Sequence, residues 1–178
     1  MAKVPVGYTD CLAETVAALA EPGCLLVSQG SDGKPNAMTI GWGTVGVIWG
    51  RPMFVVLVRH SRYTWRLLEE HGEFTVNVPP PSLTDAAVVC GTKSGRDTDK
   101  FAATGLTPVA GKHVAVPIID QCVVHYECRT VHRNNVDPTH LAGVVMDEFY
   151  GAGDFHTIYF GQIIGVEADD DARNRLSG

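Results

Sequence analysis

Met53-Phe54-Val55-Val56-Leu57-Val58-Arg59-His60-Ser61-Arg62-Tyr63-Thr64 contains two structural elements and the joint between them. From Met53 to Arg59 the run is apolar almost without interruption, as expected of a strand buried on both faces. Ser61 then stands where a helix N-cap belongs, opening a helix through His71 that carries Trp65, Leu67 and Leu68. Upstream, Cys24–Gln29 is a second apolar run, Ser31-Asp32-Gly33-Lys34 is a turn signal centred on Asp-Gly, and Ala37–Trp42 resumes the strand, which predicts a hairpin with a polar loop. Before it, Leu12, Val16 and Leu19 recur at helical spacing over Asp10–Ala20, and Pro22-Gly23 stops that helix. Downstream, Phe74–Val78 reads as a strand ended by Pro79-Pro80-Pro81, Leu83–Val89 as a short helix, and Cys90–Lys100 as a polar loop. Val114–Ile119, Cys122–His132, Ala142–Tyr150 and Thr157–Ala168 are predicted strands, and the acidic, then polar, last ten residues are expected to fray.

Strands therefore outnumber helices, with no regular βαβ alternation. The expected fold is mainly β: an antiparallel sheet closed towards a barrel, with a few peripheral helices. A chain of 178 residues suits one domain, and 45% apolar content supplies a core and excludes disorder. Nineteen Gly and ten Pro agree with many turns rather than a helix bundle. Fourteen basic against twenty acidic residues leave a net charge of −6, which argues against a general nucleic-acid binder. The apolar stretch Val45–Val58 is cut by Gly50-Arg51-Pro52 and is too short to span a bilayer. The first residues hold no apolar core of signal-peptide length, and five cysteines are an odd number, so reduced thiols and a cytoplasmic location are expected.

Several familiar chemistries lack their motifs. No G-x-G-x-x-G joins a strand to a helix, Gly91-Thr92-Lys93-Ser94 lacks P-loop spacing, and no G-x-S-x-G elbow is present. Cys122-x-x-His125-x-x-Cys128 is the best metal cluster, but on a strand its histidine points away from its cysteines, so no metal site is expected. Three segments carry more. Arg59, Ser61, Arg62 and Thr64 surround a helix start whose free N–H groups and dipole favour an anion, most naturally a phosphate. The same residues also suit a capped surface helix with solvated arginines. Asn36-Ala37-Met38-Thr39-Ile40-Gly41-Trp42-Gly43 places hydrogen-bonding groups beside Met38 and Trp42, as a flat heteroaromatic ring requires, although Met38, Ile40 and Trp42 also fit ordinary core. Ser94-Gly95-Arg96-Asp97-Thr98-Asp99-Lys100 is the third segment, with Lys100 either at the site or solvated.

Taken in order, these segments resemble the flavin reductase-like family of FMN-binding split barrels. The resemblance rests on Gly33-Lys34-Pro35-Asn36-Ala37-Met38-Thr39-x-x-Trp42, Arg59-x-Ser61-x-Tyr63-Thr64, Gly72-Glu73-Phe74-Thr75-Val76-Asn77, Ser94-Gly95-Arg96-x-x-Asp99-Lys100-Phe101, His125-Tyr126-Glu127-Cys128 and Gly153-Asp154-x-His156-Thr157-Ile158-Tyr159-x-Gly161. It runs from about Pro22 to Val166, within a single domain of residues 1–178. It implies a split barrel, a homodimer, and FMN in a groove near the dimer interface. Arg59 and Ser61–Thr64, with Arg62 and Tyr63, would hold the phosphate, and Asn36, Ala37, Met38, Thr39 and Trp42 would line the ribityl chain and ring. Ser94 and Lys100 would approach from the glycine-containing loop, and His156 would stand near the open face of the flavin as the catalytic candidate. The implied activity is NAD(P)H-dependent reduction of free flavin, a ferric complex or a similar small-molecule acceptor. The alternative is an FMN electron carrier served by a redox protein partner. His132–Pro138 matches nothing in the family pattern and is expected to be an insertion that could fold over the groove.

Overall fold

The computed structural model describes residues 2–176. In chain order its elements are β1 (Lys3–Pro5), α1 (Leu12–Ala20), β2 (Cys24–Gln29), β3 (Pro35–Ile40), β4 (Gly43–Ile48), β5 (Arg51–Arg59), α2 (Tyr63–His71), β6 (Glu73–Val78), α3 (Thr84–Thr92), α4 (Lys100–Thr104), β7 (Pro108–Val109), β8 (Ile118–Ile119), β9 (Val124–Asn135), α5 (Gly143–Phe149), β10 (His156–Asp169) and α6 (Ala172–Leu176). The main sheet is antiparallel in the order β3-β2-β6-β9-β10-β5-β4, with β1 added to β10. Its two ends, β3 and β4, are not paired with each other, so the barrel is split along that seam.

The predicted hairpin of β2 and β3 forms in register from Cys24↔Ile40 to Gln29↔Pro35. The apolar stretch from Val45 to Val58 folds as a second hairpin, β4 and β5, turning through Trp49-Gly50 with φ of 53° and 68°. Two successive left-handed residues are the geometry that matches the twist of a tight hairpin. β9 and β10 are the long spine, and the bulge beside Gly161 lets this strand cross Phe74, whose ring a Cβ at that position would strike. Inside the barrel Phe54, Phe74, Tyr126 and Tyr159 pack with the aliphatic side chains of β2, β5 and β6. A second cluster, including Leu25, Val27, Ala87, Phe101 and Ile119, seats α3 and α4 against the outer face of the sheet.

Four expectations are corrected. Ala142–Tyr150 is not a strand but the site of α5: β9 and β10 already pair directly through Asn135↔Thr157, which leaves the intervening segment no sheet edge to join. Of Val114–Ile119 only Ile118–Ile119 is extended in a ladder, because the Glu127 carboxylate accepts the N–H groups of Lys112, His113 and Val114 in place of a partner strand. His132–Asn135 does not fold over a groove; it is the end of β9, paired with β10. The end of the chain forms α6 up to Leu176, and Ser177 and Gly178 lie outside the described residues. All five cysteines are free and buried. Cys122 precedes β9 instead of sharing a strand face with Cys128, His125 pairs through Nδ1 with Asn77 Oδ1 at 2.8 Å, and no metal-binding cluster assembles among the described residues. Among them, too, no helix is long and apolar enough to cross a membrane.

Candidate functional site

The seam positions the site. Beside the unpaired edge of β3, three hollows share walls. The first is a cleft of about 220 Å³ lined by Met38, Thr39, Trp42, Leu57, Arg59 and His156. The second, about 160 Å³, opens at the start of α2 between Arg62, Tyr63, Thr64, Lys93, Ser94 and Lys100. The third, about 610 Å³, continues past Tyr63 and Arg96 towards Lys34 and Pro108. Met38 and Arg62 are common to the first two, and Asn36, Tyr63, Gly95, Arg96 and Lys100 to the last two. An acidic chain has thus collected Lys34, Arg59, Arg62, Lys93, Arg96 and Lys100 along one groove. Such a concentration favours an anionic ligand.

At the middle hollow, α2 begins at Tyr63 with Arg62 at the cap position, and Ser61 does not cap it. The N–H groups of Tyr63 and Thr64 therefore have no intrahelical acceptor. Ser61 fails as the cap because Asp154, held at φ 58°, occupies it: Ser61 Oγ donates to Asp154 Oδ2 at 2.7 Å and its N–H to Oδ1 at 3.1 Å. Burial opposes the Asp154 charge, but the Ser61 bonds and the nearby Arg59 hold its carboxyl below the usual range. Asn36 Nδ2 donates to the buried Thr64 Oγ1 at 2.9 Å, tying β3 to the first turn of α2. Gly95 must lack a side chain, since a Cβ there would strike Asn36 Oδ1 and lie 2.8 Å from the Tyr63 ring.

Arg59 does not reach this hollow. Its guanidinium donates to Asp154 O at 2.7 Å and Phe149 O at 3.1 Å, 5.9 Å from the Trp42 ring centre. The expected cation at the helix start is supplied by Arg62, with Lys93, Arg96 and Lys100 around the same hollow. Arg62 donates to Gly91 O and, through Nε, to Met38 Sδ at 3.4 Å. Lys100, only 4% exposed, donates to Ala37 O at 2.8 Å and Cys90 O at 2.9 Å, and burial pushes its ammonium down to about 8. Ala37 contributes that carbonyl; its side chain lies in the second core cluster and not in the groove. Thr39 lines the first cleft while its hydroxyl donates to Ala87 O.

The first cleft is aromatic at its far end. Trp42 lies 4.9 Å between centroids from both Phe149 of α5, edge to face, and His156, whose ring is tilted by 38°. Tyr150 Oη and His156 Nδ1 are 2.7 Å apart, and burial, then the Arg59 charge, pushes the imidazole down to about 4. His156 is therefore a neutral hydrogen-bonding group near neutral pH and not a cation. The structure brings together Asn36, Met38, Thr39, Trp42, Arg59, Arg62, Tyr63, Thr64, Ser94, Lys100 and His156 along one groove. Sequence reasoning assigned no role to Asp154, Tyr150 or Phe149, and the only local sign of them is the Gly153-Asp154 turn before β10.

A split antiparallel barrel is the architecture of flavin reductase-like domains. The chain belongs to that family: the model of the flavin reductase like domain matches residues 16–176. An uncharacterized protein of Archaeoglobus fulgidus is 35% identical over 137 residues, which cover 77% of this chain and 67% of that one. Among solved structures, a flavoredoxin of Desulfovibrio vulgaris is similar at a TM-score of 0.68 and 29% identity, covering 84% of this chain and 70% of its own. The FMN-binding domain of a flavin reductases-like enzyme from Shewanella baltica shares the fold at a TM-score of 0.67 and 20% identity, covering 94% and 78%.

Proposed function

We propose that the groove binds FMN and that the protein is an NAD(P)H-dependent oxidoreductase acting as a homodimer in the cytoplasm. One observation carries the reading: a small cationic hollow at the start of a helix adjoins an apolar and aromatic cleft, the two halves of a flavin mononucleotide's chemistry. The residues present fit that group. The Tyr63 and Thr64 N–H groups with Arg62, Lys93 and Ser94 would take the phosphate, and Asn36 and the β3 backbone would take the ribityl hydroxyls. Met38, Trp42 and Leu57 offer apolar walls to a flat ring. When bound, FMN supplies hydride and single-electron chemistry that no side chain here can perform.

The chain's own residues bind, orient and exclude water. Arg59 keeps a fixed positive charge at the ring end, and its two carbonyl partners prevent it from swinging into solvent. Neutral His156, held by Tyr150, offers a hydrogen bond at the same end without the charge that would repel Arg59. Exposed Val47 and, beside one another at the β4–β5 turn, exposed Trp49 and Val131 support a second copy as cover. The purified protein should be yellow, release FMN on denaturation, and bleach with NADH or NADPH in a stopped-flow trace. A colourless protein that also fails to bind added FMN ends the reading. The 29% identity to a flavoredoxin favours a second reading, an electron carrier, in which the colour persists with NAD(P)H and is lost only with a reduced protein partner.

A further inference from the structure

Tyr150 closes α5 and does more than brace His156. Its ring is buried, stacks on Phe155 at 5.0 Å between centroids and lies 5.3 Å from the Arg59 guanidinium. Main-chain bonds fix it on both sides: its N–H donates to Met146 O at 2.9 Å, and its carbonyl accepts from Gly153 N at 2.8 Å. Its hydroxyl meets one group among the described residues, His156 Nδ1 at 2.7 Å. We propose that Tyr150 is a positioning residue: its hydroxyl donates to His156 Nδ1, locks the imidazole in the tautomer that carries its proton on Nε2, and so presents a hydrogen-bond donor to the carbonyl oxygen of a ligand at the ring end of the cleft. The lock is a property of the chain alone; only the ligand that meets it rests on the oxidoreductase reading.

Two neutral arrangements compete, and burial decides between them. Burial, then the Arg59 charge, keeps the imidazole neutral near neutral pH, and burial raises the Tyr150 hydroxyl above its usual range, so the pair holds one hydroxyl proton and one ring proton. If Nδ1 carried the ring proton it would donate to Oη, and the hydroxyl proton would be buried with no other acceptor among the described residues. An unpaired buried donor disfavours that form by about 5- to 150-fold. If Nε2 carries it, both protons are used, the hydroxyl's by Nδ1 and the ring's by whatever enters the cleft. β10 holds the imidazole at the cleft wall through the pairing of His156 with Arg59. Its Nε2, unlike that of His125, is not sealed in, and it has no partner among the described residues. The neighbouring groups agree. No carboxylate lines the cleft among the described residues, and Asp154 turns both its oxygens to Ser61. Arg59 brings N–H groups only. A ligand N–H placed here would face further N–H groups, whereas a carbonyl oxygen meets donors.

Nitrogen NMR of histidine-labelled apo protein reads the tautomer directly, because a protonated and a bare ring nitrogen resonate far apart, and His156→Gln assigns the signal. His156 should show a bare Nδ1 and a protonated Nε2. Tyr150→Phe keeps the ring on Phe155 and removes only the hydroxyl, so the preference should collapse and both nitrogens move to intermediate positions. A wild-type ring protonated on Nδ1 overturns the proposal without any variant, and so do unchanged nitrogen signals in a folded Tyr150→Phe. The ligand class is read on FMN-loaded protein with acetophenone and α-methylstyrene, the same shape with a methylene in place of the carbonyl oxygen. Acetophenone should shift the Nε2 signal and α-methylstyrene should not; equal effects, or none from either, overturn the carbonyl subsite. If FMN does not bind while the apo tautomer is as stated, the FMN reading falls and the role of Tyr150 stands.

Discussion

Arg62→Ala tests the assignment of the phosphate end most directly. Arg62 stands where the ring cleft and the middle hollow meet, and its guanidinium carries five N–H donors. Gly91 O and Met38 Sδ occupy two of the nitrogens, which fixes the group and leaves donors for a ligand. A hydrogen bond between such a cation and a phosphate contributes about 1.5–3 kcal/mol, so FMN should bind roughly 10- to 150-fold more weakly in the variant. Riboflavin has the same ring and ribityl chain without the phosphate. Its affinity reports only what Arg62 does for the shape of the groove through Gly91 and Met38. The quantity to measure is the ratio of the two dissociation constants, by fluorescence titration of apo protein, at low and at moderate salt. The ratio should collapse in Arg62→Ala, and its dependence on salt should weaken with it. Arg59→Ala should move both ligands by a common factor, because its donors are directed to Phe149 O and Asp154 O at the ring end. Equal losses for FMN and riboflavin in Arg62→Ala, or a loss confined to FMN in Arg59→Ala, would refute the placement of the phosphate at the start of α2.

Gly95→Ala should cost about 1–3 kcal/mol of stability, the usual cost of overpacking, because its Cβ would strike Asn36 Oδ1; an unchanged urea midpoint would show that the loop yields freely. Acid stability should depend on histidine. His156 is pushed to about 4 and His125 to about 3, both from 6.5 and both chiefly by burial. The unfolded chain then binds more protons below pH 6.5, so stability is full above that pH and falls as pH drops towards 4. His156→Gln should remove about one proton from that slope, about 1.4 kcal/mol per pH unit, and an unaltered slope in urea titrations across this range would contradict the buried neutral imidazole. Light scattering at micromolar concentration should give twice the 19.1 kDa chain mass, and a monomer with FMN bound would remove the dimer from the reading.

The parts of the fold legible in the sequence are those decided by neighbours along the chain. Asp32-Gly33 between two apolar runs dictates the β2–β3 hairpin, and the unbroken run to Arg59 dictates a strand buried on both faces. α5 was illegible for the opposite reason. Val144 and Val145 favour a strand locally, and what denies them one is that the partners they would need, β9 and β10, are already paired with each other. The site divides in the same way. That an anion-favouring helix start follows β5 could be read from Arg59 to Thr64, but which arginine faces it could not. Asp154, ninety-three residues further on, takes the hydroxyl and N–H of Ser61, and its backbone carbonyl takes Arg59. With the Ser61 side chain taken, the helix begins one residue later than a Ser61 cap would start it, and of the two arginines the sequence offered Arg62 stands at the cap while Arg59 turns to the ring end.

Why the groove lies at the seam follows from what an open barrel must do with its edges. An unpaired strand exposes carbonyls and N–H groups that can recruit another chain, and proteins blunt such edges with charged side chains. Here β3 is blunted by Lys100, which takes the Ala37 carbonyl, and by Arg62, which lies against Met38. Both cations are also walls of the groove. A ligand bound there meets charges that the fold already needs in place, so little ordering is left for binding to impose. The same arrangement explains the cost carried by Lys100, an ammonium held at 4% exposure and pushed down to about 8 by its burial. An edge lysine in solvent would protect the strand as well, but it would give the groove no fixed charge. Burial between Ala37 O and Cys90 O turns edge protection into a preorganised site.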